Sequence, residues 1–305
     1  MRLPFALAYT ALAAPIAWAR FQFTHVYLAH YPHSPIPKGA CTFEQRMEII
    51  KELEIVMDIA YHMVRHYADY DAFYFKAFFP DRDLGGPAME RLFQSMAWAA
   101  DPDYDEPWIF DITCDREVDS CKKKRELMMA DPDTQTLNIC PDGFFNAMTS
   151  SDFAATPTRQ RIDEIKAIIQ FSENLPVQRL FSMATGSRAM AFIHALTQFP
   201  YISRSTVTRG PREYVFRDFH DRAMDFALGV TDCLRLAKGR FIRRPGRPFY
   251  VDVRSPYWCG ETRRDGGLCP AELAWMNADS FALLATGVWM SKQVGLQIPL
   301  PDYNY

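Results

Sequence analysis

The longest regular pattern of apolar and polar residues in the chain begins at Thr42. Apolar residues recur there every three or four positions, as they do on one face of a helix. These residues are Met47, Ile50, Leu53, Val56, Met57, Ala60 and Val64. Thr42 followed by Gln45 is typical of a capping box, in which the two side chains satisfy N–H groups of the first helical turn. The pattern predicts a helix from Thr42 to about His66.

Several further segments have the spacing of regular secondary structure. Helices are predicted over residues 85–97, 159–171, 187–199, 217–237 and 277–294. Gly239 follows the fourth of these as a stop signal. Residues 108–114 and 136–140 alternate as strands do, and the basic run at 122–125 between them is interpreted as a solvated helix start. The chain therefore predicts an α+β fold that is mainly helical with a small mixed sheet.

The first 19 residues have the composition of a secretory signal peptide. Arg2 is followed by an uncharged run that ends in an Ala-Trp-Ala cleavage site before Arg20. No later segment has about 18 consecutive apolar residues, so we expect a secreted product without a membrane span. Residues 20–41, which contain three prolines and three histidines, predict an irregular arm. Residues 42–305 predict a single domain with a loop insertion at about 239–272.

Seven cysteines follow the signal peptide. In an oxidising compartment most of them should pair, and the odd number leaves one free or bonded to a partner. Cys259 and Cys269 bracket a short loop and are expected to form a local bridge. A second bridge is expected among Cys114, Cys121 and Cys140, whose connectivity the spacing leaves open. A structural zinc site is not indicated, because the chain has no C-x-x-C pair.

The net charge of the chain excludes only a few classes of binding partner. The formal net charge is −3, and loss of Arg2 with the signal peptide makes it about −4. This excludes a strongly basic protein that binds nucleic acid or an anionic membrane surface. We therefore expect no nucleic-acid partner.

Residues 192–199 have the frame of a zinc-protease helix. In an H-E-x-x-H helix two histidines one turn apart bind zinc, and the glutamate beside the first activates the metal-bound water. Here His194 is followed by Ala195, and Gln198 occupies the position of the second histidine. Taken alone, a single histidine in an apolar segment is more often structural.

Three other segments occur in a fixed order around this helix. They read N-I-C-P-D-G-F-F at 138–145, D-F-A-L-G at 225–229 with C-L-R-L-A at 233–237, and N-A-D-S-F-A-L at 277–283. Together with the His194 helix, they resemble the fungal deuterolysin-like (aspzincin) metallopeptidases over roughly residues 105–292. The resemblance implies a zincin-like α+β fold.

The resemblance also implies a role for each matching position. His194 corresponds to the first zinc ligand of the family and Asp225 to the third. Gln198 replaces the second ligand, Ala195 replaces the general base, and Leu228 replaces the tyrosine that stabilises the oxyanion. The Gly-Thr pair that precedes the aspartate in the family is missing too.

These replacements predict a protein that has lost its catalysis. A positioned general base contributes about 10²–10⁴ in rate and an oxyanion donor about 10²–10³, so little hydrolysis should remain. One histidine and one aspartate should hold zinc only weakly, since a catalytic zinc normally has three protein ligands. We therefore expect a secreted metallopeptidase-like protein that acts by binding a peptide or protein.

Two alternatives remain open at this point. One is an active zinc endopeptidase with a rebuilt site that uses His194, Asp225 and either His220 or Gln198. The other is a metal-binding interaction protein that works through the histidines of its arm, which are His25, His30 and His33.

Two further features have simpler interpretations. The pair His62 and His66 has the spacing of two ligands on one helical face, but Arg65 lies beside it, so an exposed face or groove lining is expected. Asp279 matches a region in which some lysine-specific relatives carry an acidic group that meets the substrate lysine. It is interpreted as a first-turn carboxylate favoured by the helix dipole.

Overall fold

The computed structural model describes part of the chain. The described residues are 39–66, 73–79, 82–98, 111–122, 126–147, 163, 166–167, 181, 187–204, 223, 225–238 and 274–301. Several predictions lie outside them: the signal peptide, the histidines of the arm, His220, the loop insertion with the expected Cys259–Cys269 bridge, and most of the helix predicted at 159–171.

The described residues form a mixed α+β fold that is mostly helical. Its helices are α1 (Phe43–His66), α2 (Tyr74–Phe78), α3 (Arg82–Trp98), α4 (Pro141–Phe144), α5 (Arg188–Thr197), α6 (Pro200–Arg204), α7 (Gly229–Ala237) and α8 (Ala278–Val294). Its strands are β1 (Asp111–Thr113), β2 (Met128–Asp131) and β3 (Thr136–Ile139), and a 3-10 turn covers Ala274–Met276. None of the helices in this part of the chain is long and apolar enough to cross a membrane.

The sheet has three strands in the order β1-β3-β2. β1 runs parallel to β3, and β2 runs antiparallel to it. The small mixed sheet was predicted, but β2 was not. Its sequence, Met-Met-Ala-Asp, has no apolar and polar alternation, and all four of its residues are half-buried. β2 lies at the edge of the sheet, where it forms one wall of the site described below.

Two disulfides hold the sheet in place. Cys121 bonds to Cys140, so the prediction of a bridge within that group of three cysteines is confirmed. Cys114 bonds instead to Cys41, which ties the residues before α1 to the end of β1. Cys233 is a free, buried cysteine.

The prediction for α1 is confirmed in detail. The Thr42 N–H donates to Gln45 Oε1 at 2.8 Å, and the Gln45 N–H donates to Thr42 Oγ1 at 3.3 Å, which is the predicted capping box. The buried face of α1 includes Ile49, Leu53, Val56, Ala60 and Met63.

α8 is the central helix of the described core. Its residues from Ala278 to Met290 are all buried, as expected for a helix that is apolar on every side. The prediction of a helix from near Asn277 to Val294 is confirmed. Because other helices surround α8, its N-terminal residues lie deep in the protein.

α5 is fixed at its N-terminus by two groups. The Ser187 Oγ accepts a hydrogen bond from the Met190 N–H and caps the helix. The buried Arg188 guanidinium donates to Glu48 Oε2 of α1 at 2.8 Å and to the Phe145 carbonyl at 2.9 Å. A helix over 187–199 is confirmed, and its N-terminus is held against α1 and the residue after α4.

Three boundary predictions are wrong. The helix predicted at 217–237 is not continuous, because residues 225–228 are not helical and α7 begins at Gly229. The N–H groups of Ala227 and Gly229 donate to side chains near the start of α8 rather than to a preceding turn. Residues 217–222 lie outside the described part of the chain. α3 begins at Arg82, three residues before the predicted start. Lys122 lies in a turn, where its ammonium pairs with Asp119, instead of starting a helix.

We predict that Gly143 is intolerant of substitution. A Cβ at this position would lie 2.0 Å from the Glu126 carbonyl oxygen, so Gly143→Ala must displace the backbone beside β2. We expect a loss of about 2 kcal/mol or more in the free energy of unfolding, measured by urea denaturation. Gly295→Ala is the matched control. Gly295 has φ +71° and open space around it, so only the backbone strain of about 1 kcal/mol should be lost. Equal losses for the two variants would contradict the steric account.

Candidate functional site

A cleft of about 510 Å³ opens between the edge strand β2 and the helix α5. Residues from β2, from the first to the last turn of α5, and from the segment before α7 line it. Its lining includes apolar side chains, among them Met128, Met129, Met190 and Leu228, and polar ones, among them His194, Gln198, Asp225 and Asp279. The cleft thus brings together residues that are far apart in the sequence.

α5 presents one face to this cleft. Ser187, Ala191, His194 and Gln198 follow one another at intervals of three or four residues, and all of them line it. Gln198 is the residue on which α5 ends. The helical spacing therefore places the His194 and Gln198 side chains one turn apart on the same surface.

His194 lies between two carboxylates. Its Nδ1 is hydrogen-bonded to Asp279 Oδ1, and its Nε2 lies 3.1 Å from Asp225 Oδ1. The His194 side chain is 19% exposed, and that of Asp279 is 9% exposed. Burial alone would lower the pKa of His194, but the hydrogen bonds and charges of Asp225 and Asp279 outweigh it and raise the pKa to about 10.

Gln198 completes this polar cluster. Its Nε2 donates to Asp225 Oδ1 at 2.8 Å and lies 3.2 Å from His194 Nε2. The three positions that the resemblance aligned with zinc ligands are therefore together in space. The Asp225 carboxylate accepts a hydrogen bond from each of the other two side chains.

Asp279 belongs to the site, although the sequence predicted for it only the role of a first-turn carboxylate. It does lie in the first turn of α8, as predicted. Its side chain, however, bonds to His194 and also accepts the Gly229 N–H at 2.6 Å. The signal in the sequence was the acidic residue in a segment of family resemblance, but only the packing of α8 against α5 shows what it contacts.

The segment that carries Asp225 and Leu228 is fixed by α8. The buried Asn277 accepts the Ala227 N–H at 2.8 Å and donates to Ser280 Oγ. This segment is also joined to α5, because the Ala223 N–H donates to the Thr197 carbonyl at 3.0 Å. Asn277 belongs to one of the segments of family resemblance, but its role in placing Asp225 was not predicted from the sequence.

The two remaining predicted positions offer no acid, base or hydrogen-bond donor in their side chains. Ala195 lines the cleft with a methyl group and is 2% exposed. Leu228 also lines the cleft and is 41% exposed, which is high for a large apolar side chain. Where the family has a base and an oxyanion donor, this chain has two apolar groups.

The side chains of the cleft do not fit a catalytic zinc. Such a site needs three protein ligands that converge on the ion. Asp225 and Asp279 approach opposite nitrogens of the His194 ring, so they flank the imidazole and do not converge. Gln198 could contribute only a neutral amide, which is a poor zinc ligand. The described residues contain no group of three His, Cys, Asp or Glu side chains arranged to hold a metal ion.

The pair His62 and His66 has a cation beside it. His62 Nδ1 lies 3.2 Å from the Lys292 ammonium. The side chain of His66 is outside the described part of the chain. An ammonium next to one member opposes metal binding at this pair.

The chain was also compared with known proteins. It matches no family model, no curated protein and no solved structure. The mixed α+β class therefore follows from the described fold alone.

The position of His194 predicts a pH dependence of stability. Because its pKa in the folded protein is raised from 6.5 to about 10, its stabilising contribution is fully present below pH 6.5 and is lost as the pH rises towards 10. Three other titratable side chains line the cleft, and they are Asp225, Asp279 and Glu126. We expect the free energy of unfolding of the wild type to fall relative to that of His194→Gln between pH 6.5 and 10. Parallel curves for the two proteins over this range would contradict the placement of His194 between the carboxylates.

Proposed function

We propose that this protein is a secreted, zincin-like protein that resembles the aspzincin metallopeptidases and binds a peptide or protein segment in its cleft without cleaving it. One observation carries the proposal. The residues aligned with the metal ligands are bonded to one another, while the cleft beside them remains open.

The first support is the position of β2. Within the described sheet, β2 pairs only with β3, and the segment from Glu126 to Ala130 lines the cleft. An extended peptide can add to such an edge through main-chain hydrogen bonds, with its side chains entering the adjoining pockets. The Cys121–Cys140 disulfide joins the residues that precede β2 to the end of β3, and both disulfides of the described residues are compatible with an oxidising compartment.

The second support is the apolar lining of the cleft. Met128, Met129, Met190 and Leu228 contribute to it. Methionine side chains are flexible and polarisable, and they are common on surfaces that adapt to different peptides. The exposed Leu228 adds apolar surface that a bound side chain would cover.

The third support is the loss of reactive groups. Ala195 cannot accept a proton and Leu228 cannot stabilise an oxyanion, and together these changes remove about 10⁴ or more in rate. The cleft needs none of the lost groups in order to bind an extended chain. Binding is therefore the activity that the remaining residues support best.

A second candidate is an active hydrolase with a rebuilt metal site. The observation in its favour is the contact of Asp279 with His194 Nδ1, because a carboxylate on one ring nitrogen orients a metal-binding imidazole. This candidate requires a third ligand to converge with His194 and Asp225. Cleavage of casein that is abolished by a chelator and by His194→Ala would establish this candidate in place of the first.

The binding proposal predicts a difference between two apolar surface positions. Peptides would be selected on the intact secreted protein from a random dodecapeptide display library, and the dissociation constants of synthetic copies would be measured. Leu228→Ser removes apolar surface from the cleft, so we expect about tenfold weaker binding. Phe43→Ser is the matched control, because Phe43 is 71% exposed and does not line the cleft. Equal affinities for the two variants, or no selectable peptide, would contradict the proposal.

A further inference from the structure

We infer that Gln198, His194 and Asp225 form a metal-free cross-link between α5 and the segment before α7, and that Gln198 is the single position that separates this cluster from a zinc site. The inference goes beyond the proposed function and does not depend on it, since the cross-link would exist whether or not the cleft binds a peptide.

The distances between these three side chains support the first part of the inference, which is the metal-free cross-link. Ligand atoms of a tetrahedral zinc lie about 2.0–2.2 Å from the ion, and so roughly 3.4 Å from one another. The three atoms here are closer together. Asp225 Oδ1 lies 2.8 Å from Gln198 Nε2 and 3.1 Å from His194 Nε2, and the two nitrogens are 3.2 Å apart. The two contacts of Asp225 Oδ1 are hydrogen bonds in which both nitrogens donate, so the carboxylate joins its own segment to two side chains of α5 without an ion.

The cross-link holds a side chain of a segment whose backbone is held at other points. Asn277 and Asp279 hold the backbone of Ala227 and Gly229, and Thr197 holds that of Ala223. The Asp225 side chain faces the cleft, and two side chains of α5 hold it from one direction. If the Gln198 amide is removed, the His194 contact is the one of these two that remains.

The geometry of His194 supports the second part of the inference, which is that Gln198 separates this cluster from a zinc site. Because Asp279 occupies Nδ1, the nitrogen that faces Asp225 is Nε2. Gln198 is four residues after His194, which is the spacing that places two imidazoles on one helical face. Gln198→His would therefore give two imidazoles and one carboxylate around a common point, with Asp279 already supporting the first imidazole.

Thermal unfolding of the full-length secreted protein tests both parts. The wild type, Gln198→Ala and Gln198→His would each be measured with EDTA and with zinc chloride. We expect the wild-type Tm to be the same under both conditions and Gln198→Ala to unfold about 3–6 °C lower under both. Gln198→His should gain at least about 4 °C from zinc. Gln94→His, on α3 outside the cleft, controls for an added surface histidine and should gain nothing.

Three outcomes would overturn the inference. A fall of the wild-type Tm in EDTA would show that a metal already holds the site. An unchanged Tm in Gln198→Ala would show that the amide links nothing. A folded Gln198→His variant that gains no more from zinc than Gln94→His would show that more than one position separates the cluster from a zinc site. If Gln198→His does not fold, the wild-type and Gln198→Ala results still decide the cross-link.

Discussion

The arrangement of the cleft depends on the carboxylate of Asp279. It lies at the N-terminal end of the buried helix α8, where the helix dipole favours a negative charge. One oxygen binds the His194 ring and the other accepts the Gly229 N–H. A single side chain thus joins three segments that are distant in the sequence. Because α8 is enclosed by the core, these contacts are fixed relative to the rest of the described fold.

The sequence was sufficient where one local rule decided the structure. The capping box at Thr42 and Gln45 placed α1, and the apolar periodicity of α5 and α8 placed those helices to within a residue or two. The same rules failed over 217–237, where the pattern predicted one long helix. There the Ala227 and Gly229 N–H groups bond to Asn277 and Asp279, some 50 residues further along the chain. No local pattern contains that competition, so the helix boundary could not be predicted.

The candidate site was also predictable only where local spacing decides the geometry. His194 and Gln198 belong to one helix, so their proximity follows from helical spacing alone. The addition of Asp225 rested on family resemblance, which the comparisons neither support nor oppose. The contacts of Asp279 and Asn277 depend on how α8 packs against α5 and α7, which composition and periodicity do not specify. Strand β2, which has no alternating pattern, was missed for a related reason, since its place is set by pairing with β3 and by the Cys121–Cys140 bond.

The cleft combines an open apolar lining with a polar cluster whose side chains are hydrogen-bonded to one another. Ala195 and Leu228 present apolar surface, and Gln198 and His194 both donate hydrogen bonds to Asp225. The zinc content of the full-length protein, purified without added chelator, tests most directly whether this cluster is free of metal. We predict less than about a tenth of an equivalent of zinc per chain by elemental mass spectrometry. A content near one equivalent that is lost in His194→Ala would contradict it.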